Sequence, residues 1–182
     1  MGDPETGELN WYLPEQRGIL PLNKFHVPRR LAKTIRQGQF RVTFDRCFAD
    51  VMSLCAAPAP DRESSWITDD ILDLYCELHQ YGFAHSVEAW REDRLVGGLY
   101  GVSLGGLFAG ESMFSRATDA SKVTLVYLVE RLRQQQFVLL DTQFITDHLE
   151  QFGCIEITAN EYDRRLQQAL QIKARFNPDS QV

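Results

Sequence analysis

Residues 84 to 114 read AHSVEAWREDRLVGGLYGVSLGGLFAGESMF. Three apolar runs with strand spacing are separated by the polar turn REDR and by Gly105-Gly106, the pattern of an antiparallel meander. The middle run holds Gly97, Gly98 and Gly101; glycine inside a strand marks a bulge or a place where something approaches the backbone closely. Beyond the meander, DASKVTLVYLVERLRQQQ predicts a helix with Leu125, Leu128, Val129 and Leu132 on one side, followed by the strand FVLLDTQF. A short helix TDHLEQFG, the strand CIEIT and the helix NEYDRRLQQALQ complete the chain's pattern. The order β-β-β-α-β-α-β-α implies an α+β fold, a mixed sheet with helices on its faces.

Upstream of the meander the signals are helical. HVPRRLAKTIRQGQF has Pro28 at a first helical position, Gly38 as a stop and Leu31 and Ile35 one turn apart. Phe40 to Thr43 reads as a short strand. Asp45 is placed to cap a helix whose Phe48, Val51, Met52 and Cys55 form a core stripe. APAPDRESS is a loop by composition; Thr68 caps a further helix that turns Ile71, Leu72, Tyr75 and Leu78 inward and stops at Gly82. Met1 to Arg17, with Pro4, Gly7 and Pro14 and no period, is expected to be a loop-like lead-in. The division that follows is a stub over residues 1–17 and one domain over 18–182.

Composition narrows the function. A chain of 182 residues with 44% hydrophobic and 24% charged residues has the make-up of an ordinary globular domain. No run approaches the length of a membrane helix, and the acidic start MGDPETGELNW lacks the regions of a signal peptide, so a cytoplasmic monomer without membrane attachment is expected. Cys47, Cys55, Cys76 and Cys154 show no metal-ligand spacing and read as free thiols. A net charge of −6 argues against wholesale coating of nucleic acid, yet Arg29, Arg30, Lys33 and Arg36 form a local basic helix able to hold phosphates.

Two segments set polar groups among apolar ones: GESMFSR at Gly110–Arg116 and LLDTQ at Leu139–Gln143. Alternate residues of a strand share a face, so Asp141 and Gln143 point together, as do Glu111 and Met113 if that strand is regular. A carboxylate in an apolar setting costs several kcal/mol unless partnered. On the pattern alone, Asp141 serves equally well as a cap for a neighbouring loop, and Glu111 as an ion-pair partner of Arg116 or Lys122. His85 and His148 have no Ser or Cys nucleophile beside them and read as structural.

HVPRRL, VTFDRCF, WIT, AHSVEAW, LVGGLYGV, GESMFSRATDASK, LLDTQ and HLEQFGCIEI, in this order and spacing, resemble the bacterial leucyl/phenylalanyl-tRNA–protein transferase family. The resemblance runs from about Trp11 to Leu170. It implies a GNAT-like catalytic domain that moves leucine or phenylalanine, with methionine a further candidate, from aminoacyl-tRNA to the N-terminal Arg or Lys of proteins, creating an N-end rule degradation signal. It also places Asp141 and Gln143 as the catalytic pair, Asp141 polarising a Gln143 side chain that receives the attacking amine, and Glu111 at the substrate site. The aminoacyl pocket is implied to be Leu99, Met113, Leu125, Leu128, Leu132 and Leu140. Family members often carry aromatic residues where this chain has Leu128 and Leu132. Trp66 falls where the family stacks on the terminal adenosine of tRNA, and Arg29, Arg30, Lys33 and Arg36 where it holds the acceptor arm. The family usually has a further N-terminal domain ending in G-x-F-P-W, of which only a stub is expected here.

The chemistry suits those residue types. An aminoacyl ester is already activated, so the acceptor amine needs positioning, desolvation and loss of a proton, and no cofactor or metal is expected. Three rivals remain: an acetyl-CoA-dependent acetyltransferase, disfavoured because SRATDASK lacks the glycines of a pyrophosphate turn; a transferase with another amino acid or acceptor; and a non-catalytic tRNA-binding module.

Overall fold

The computed structural model describes residues 14–58 and 65–177. Trp11, the acidic start and most of the APAPDRESS loop lie outside the described residues. The elements run β1 (Gln16–Ile19), α1 (Arg29–Arg36), β2 (Arg41–Phe44), α2 (Phe48–Ala56), α3 (Asp69–Gln80), β3 (Ala84–Arg91), β4 (Arg94–Leu104), β5 (Leu107–Ser115), α4 (Ala120–Gln134), β6 (Leu139–Gln143), α5 (Asp147–Glu150), β7 (Ile155–Thr158) and α6 (Ala159–Leu170). The meander and the alternation after it form as expected. Its first turn places Glu92 and Asp93 at φ 50° and 58°, the backbone of a two-residue hairpin turn matched to strand twist.

One seven-stranded sheet has the order β2-β3-β4-β5-β6-β1-β7. All pairs are antiparallel except β5–β6, which α4 joins as the crossover a parallel pair needs. Helices α1 and α4 cover one face, where Leu31, Leu99, Leu125, Leu128, Leu132 and Leu140 share a core. Helices α2 and α3 cover the other with Val51, Met52, Ile71, Tyr100 and Phe114. Helix α6 lies on that same face, packing on Ile19, Leu107 and Leu139. This is the expected α+β architecture, a mixed sheet with helices on both faces. Among the described residues no helix is long and apolar enough to cross a membrane.

Three local expectations need correction. Gln16 and Arg17 belong to β1, which pairs with both β6 and β7, rather than to a loop-like lead-in. Asp45 does not cap α2, whose N-cap is Cys47 with no side-chain bond; at φ 54° its carboxylate instead accepts from the Ser86 amide (2.8 Å) and His85 Nδ1 (2.7 Å), and from Asn177 Nδ2. The third concerns β5, which is not regular. Tyr100 pairs with Ser112 but Gly101 with Gly110, so Glu111 is the extra residue of a bulge. The bulge reverses the alternation beyond it: Met113 pairs with Leu99 on the α4 face, while Glu111 reaches Tyr75 of α3 on the opposite one.

The bulge depends on Gly101, where an added Cβ would stand 2.2 Å from the carbonyl oxygen of Ala109. At Gly110 a Cβ would meet only the Asp141 carbonyl oxygen, at 3.5 Å. Gly101→Ala is therefore expected to cost about 3 kcal/mol or more, and Gly110→Ala less than about 1 kcal/mol, as read from urea denaturation of the two variants.

Candidate active site

The two central strands part company where the candidate site residues begin. Strands β5 and β6 pair through Leu107–Leu139, Phe108–Leu140 and Ala109–Asp141 and no further. Past that rung β5 continues beside β4, while β6 follows β1, with Gly18 opposite Gln143 and Ile19 opposite Asp141. The register slips here too, leaving Thr142 as the extra residue, and Gln143 sits at φ 64°. Gly18 permits the path, because a Cβ there would approach the Phe144 carbonyl carbon to 2.6 Å.

A cavity of about 1130 Å³ occupies this split. Its apolar part is lined by Leu99, Met113, Leu125, Leu128 and Leu140 from the α4 face, five of the six expected pocket residues. Leu132 is the exception: one turn beyond Leu128 it is fully buried in the core and does not reach the cavity. Arg17, Tyr75, Glu111 and Gln143 supply the polar part, and Trp66 and the exposed Phe144 also line it.

Asp141 is 0% exposed yet fully partnered. Arg17 Nη2 donates to Oδ2 at 2.7 Å and Arg17 Nε to Oδ1 at 3.0 Å. The Tyr162 hydroxyl of α6 donates to Oδ2 at 2.6 Å, and the backbone amide of Gln143 to Oδ1 at 2.8 Å. The hydrogen bond to Asp141 raises the pKa of Arg17, and burial followed by Asp141 raises that of Tyr162, so both remain donors. The guanidinium also lies 5.0 Å from the centre of the Tyr162 ring. Asp141 thus grips the backbone of Gln143, not its side chain.

The Gln143 side chain turns across the split. Its Nε2 donates to Glu111 Oε2 at 3.0 Å and to the Gly110 carbonyl at 3.4 Å, which leaves its own carbonyl oxygen as the acceptor end of the amide. Glu111 also accepts from the Tyr75 hydroxyl. Burial raises the pKa of Glu111, the Gln143 bond opposes that, and Asp141 raises it further. Lys122, an alternative partner on the pattern alone, pairs instead with Asp119 at 3.5 Å.

The remaining candidates fall into place by position. Arg29, Arg30, Lys33 and Arg36 are all exposed on α1, and among the described residues none makes an ion pair. His85 is structural: buried, it bridges Asp45 and the Gly82 carbonyl and stacks on Phe176 with centroids 4.4 Å apart. With Asp45 and His79 it forms a cluster of metal-ligand type, but His79 Nδ1 is already held by the Ala84 carbonyl at 2.8 Å. His148, read from the sequence as structural, lines the cavity. None of the four cysteines is joined in a disulfide, and burial pushes the thiol of Cys47 up to about 12.

Arg17, Tyr75 and Tyr162 are site residues that the sequence reading missed. Tyr162 had a signal, since Tyr162, Leu166 and Ala169 form a helical stripe against the sheet. For Arg17 the signal was the demand of Asp141 for a counterion, which pattern alone does not locate.

Comparison with known proteins bears on the same residues. A family model described as leucyl/phenylalanyl-tRNA protein transferase matches residues 19–167. A curated leucyl/phenylalanyl-tRNA–protein transferase of Phenylobacterium zucineum is 59% identical over 90% of this chain and 74% of its own length. Another, of Zymomonas mobilis, is 56% identical over 91% of this chain and 62% of its own. Among solved structures, one described as L-PGS from Bacillus licheniformis superimposes with a TM-score of 0.51 at 11% identity, over 70% of this chain and 46% of that one, a likeness of fold alone.

Arg17 stands just ahead of the segment the family model matches, so its role is testable on this chain in its own right. Arg17→Met leaves a buried carboxylate without its cation and is expected to destabilise the fold by about 3–5 kcal/mol in chemical denaturation. Adding Asp141→Asn should recover more than half of that loss. A single variant as stable as the parent would show that the pair is not the anchor of β1 on β6.

Proposed function

This chain belongs to the leucyl/phenylalanyl-tRNA–protein transferase family, and we propose that it transfers leucine or phenylalanine from aminoacyl-tRNA to the α-amine of proteins that begin with Arg or Lys. The observation that carries the reading is the split between β5 and β6, which opens an apolar cavity on one face and sets Gln143 and Glu111 at its polar side. The donor's side chain enters among Leu99, Met113, Leu125, Leu128 and Leu140, where burying a leucyl or phenylalanyl group is worth about 1.5–3 kcal/mol. Such a pocket separates residues differing by one methylene by only ~1–3 kcal/mol, so methionine is a further substrate.

The acceptor amine attacks the ester carbonyl: a C–N bond forms, the bond to the ribose oxygen breaks, and the amine's proton passes to that oxygen. Gln143 is the catalytic residue, its carbonyl oxygen accepting a hydrogen bond from the amine. Asp141 is a positioning residue that fixes Gln143 through its backbone amide, because its carboxylate is fully engaged behind Arg17 and Tyr162. Glu111 faces the cationic first side chain of the acceptor. Its raised pKa gives the sign of the pH effect. Glu111 stays protonated to higher pH than an ordinary glutamate, and the acceptor cation favours the ionised form, so acceptor affinity rises with pH through the raised value and is lost below it.

Trp66 stacks on the terminal adenosine, an interaction worth roughly 1–3 kcal/mol, and Arg29, Arg30, Lys33 and Arg36 hold acceptor-arm phosphates without reading sequence. The protein acts as a cytoplasmic monomer whose catalytic domain, expected over 18–182, takes in the whole of β1 from Gln16 and with it Arg17. The transferred residue marks the acceptor for degradation by the N-end rule.

The test is transfer of radiolabelled leucine and phenylalanine from charged tRNA to peptides beginning with Arg or Asp. The expected result is transfer to the Arg peptide only, with kcat falling on the order of 100-fold in Asp141→Ala at little cost in tRNA affinity, and with the acid-side rise in peptide KM abolished in Glu111→Gln. Unchanged turnover in both Asp141→Ala and Gln143→Ala would remove the proposed roles. Replacing Arg29 and Lys33 by Gln should flatten the slope of log affinity for tRNA against log salt by roughly 0.7–0.9 for each phosphate no longer neutralised; an unchanged slope would place the tRNA-binding surface elsewhere.

A further inference from the structure

One wall of the cavity holds a polar group that the mechanism above leaves unused. His148, on α5, lines the cavity together with Thr142, Thr146 and Leu149. Its ring leans on Phe152 with centroids 5.8 Å apart, and its Nε2 is closed off from solvent with no hydrogen-bond partner among the described residues. A buried polar atom left unpaired costs about 1–3 kcal/mol, and few are left so in native proteins. Among the described residues, neither neighbouring hydroxyl bonds to His148 Nε2. Thr142 bonds to the Phe144 carbonyl at 3.3 Å and meets Cys154 Sγ at 3.2 Å, and Thr146 caps α5 by accepting from the Leu149 amide at 3.3 Å. The other lining residues of this wall, Leu125, Leu128, Leu140 and Leu149, are apolar.

We propose that the His148 imidazole accepts a hydrogen bond from the aminoacyl-adenosine end of the donor, from its ribose 2′-hydroxyl or its α-amino group. Rotation about the Cβ–Cγ bond presents a ring nitrogen to the cavity when a donor group arrives. Burial first, and the charge of Lys122 second, lower the pKa of His148 and keep the ring neutral; a neutral imidazole retains one lone pair for accepting. The bond would orient the ester between the apolar pocket and Gln143. This assignment rests on the aminoacyl-transfer reading and deepens it, since it names the atom that recognises the polar end of the donor.

The probe is a stable leucyl-adenosine in which an amide replaces the ester, with its 2′-deoxy and its des-amino analogues. Affinities are measured by calorimetry for the wild type, His148→Phe and His148→Gln. The expected result is that the wild type binds one of the two truncated analogues five- to tenfold more weakly than the parent, the size of one net hydrogen bond. His148→Phe, which keeps a ring against Phe152, loses the same factor on the parent and no longer distinguishes the two; His148→Gln recovers part of it. A wild type that distinguishes neither analogue overturns the proposal without reference to any variant. So does a His148→Phe protein that discriminates as the wild type does. Failure of the wild type to bind the parent compound would overturn the transfer reading and this proposal together.

Discussion

The site depends on the parting of two parallel strands. Hydrogen bonding between β5 and β6 ends at Ala109 and Asp141, and the candidate residues Glu111, Asp141 and Gln143 are arranged around that gap. Each strand carries an irregularity beside it, Glu111 in β5 opposite the Tyr100–Gly101 step and Thr142 in β6 opposite Gly18 and Ile19. A bulge bends its strand and re-aims a side chain. Here the first brings Glu111 and Met113 to opposite faces of the sheet, so that one short run supplies both a polar wall and an apolar floor. The glycines hold this geometry, Gly101 against the Ala109 carbonyl and Gly18 against the backbone of Phe144.

Electrostatics make the gap rigid. Burying a carboxylate as deeply as Asp141 is unfavourable unless its oxygens are satisfied, and Arg17, Tyr162 and the Gln143 amide together do so. These partners come from β1, from α6 and from Asp141's own strand. Their convergence ties β1 and α6 to one point. Glu111 is treated differently: neutral donors from Gln143 and Tyr75 approach it, with no cation in hydrogen-bond contact among the described residues. One carboxylate is thereby committed to structure, and the other is left able to receive a positive charge from a ligand.

Periodicity made most of the fold legible. The meander, the stripe of α4 and the Thr68 cap follow local rules, and the structure has them. Five of six pocket leucine and methionine positions line the cavity; Leu132 lies a turn too far along α4. What periodicity could not show were its own interruptions. The alternation rule put Glu111 with Met113, and a bulge is invisible in a sequence whose glycines have several uses. Arg17 was hidden for another reason: its partner is 124 residues away, and β1 is a four-residue strand with no period long enough to read. Asp45 looked like a helix cap, but a tertiary network with His85, Ser86 and Asn177 claims its carboxylate.

The most direct test of the account is a crystal structure of the protein with an amide-linked leucyl-adenosine bound. The account predicts the leucyl side chain among Leu99, Met113, Leu125, Leu128 and Leu140, its carbonyl carbon in the gap between β5 and β6 beside the Gln143 amide, and the adenine against Trp66. A ligand seated on another face of the sheet, or a leucyl group outside that apolar floor, would contradict it.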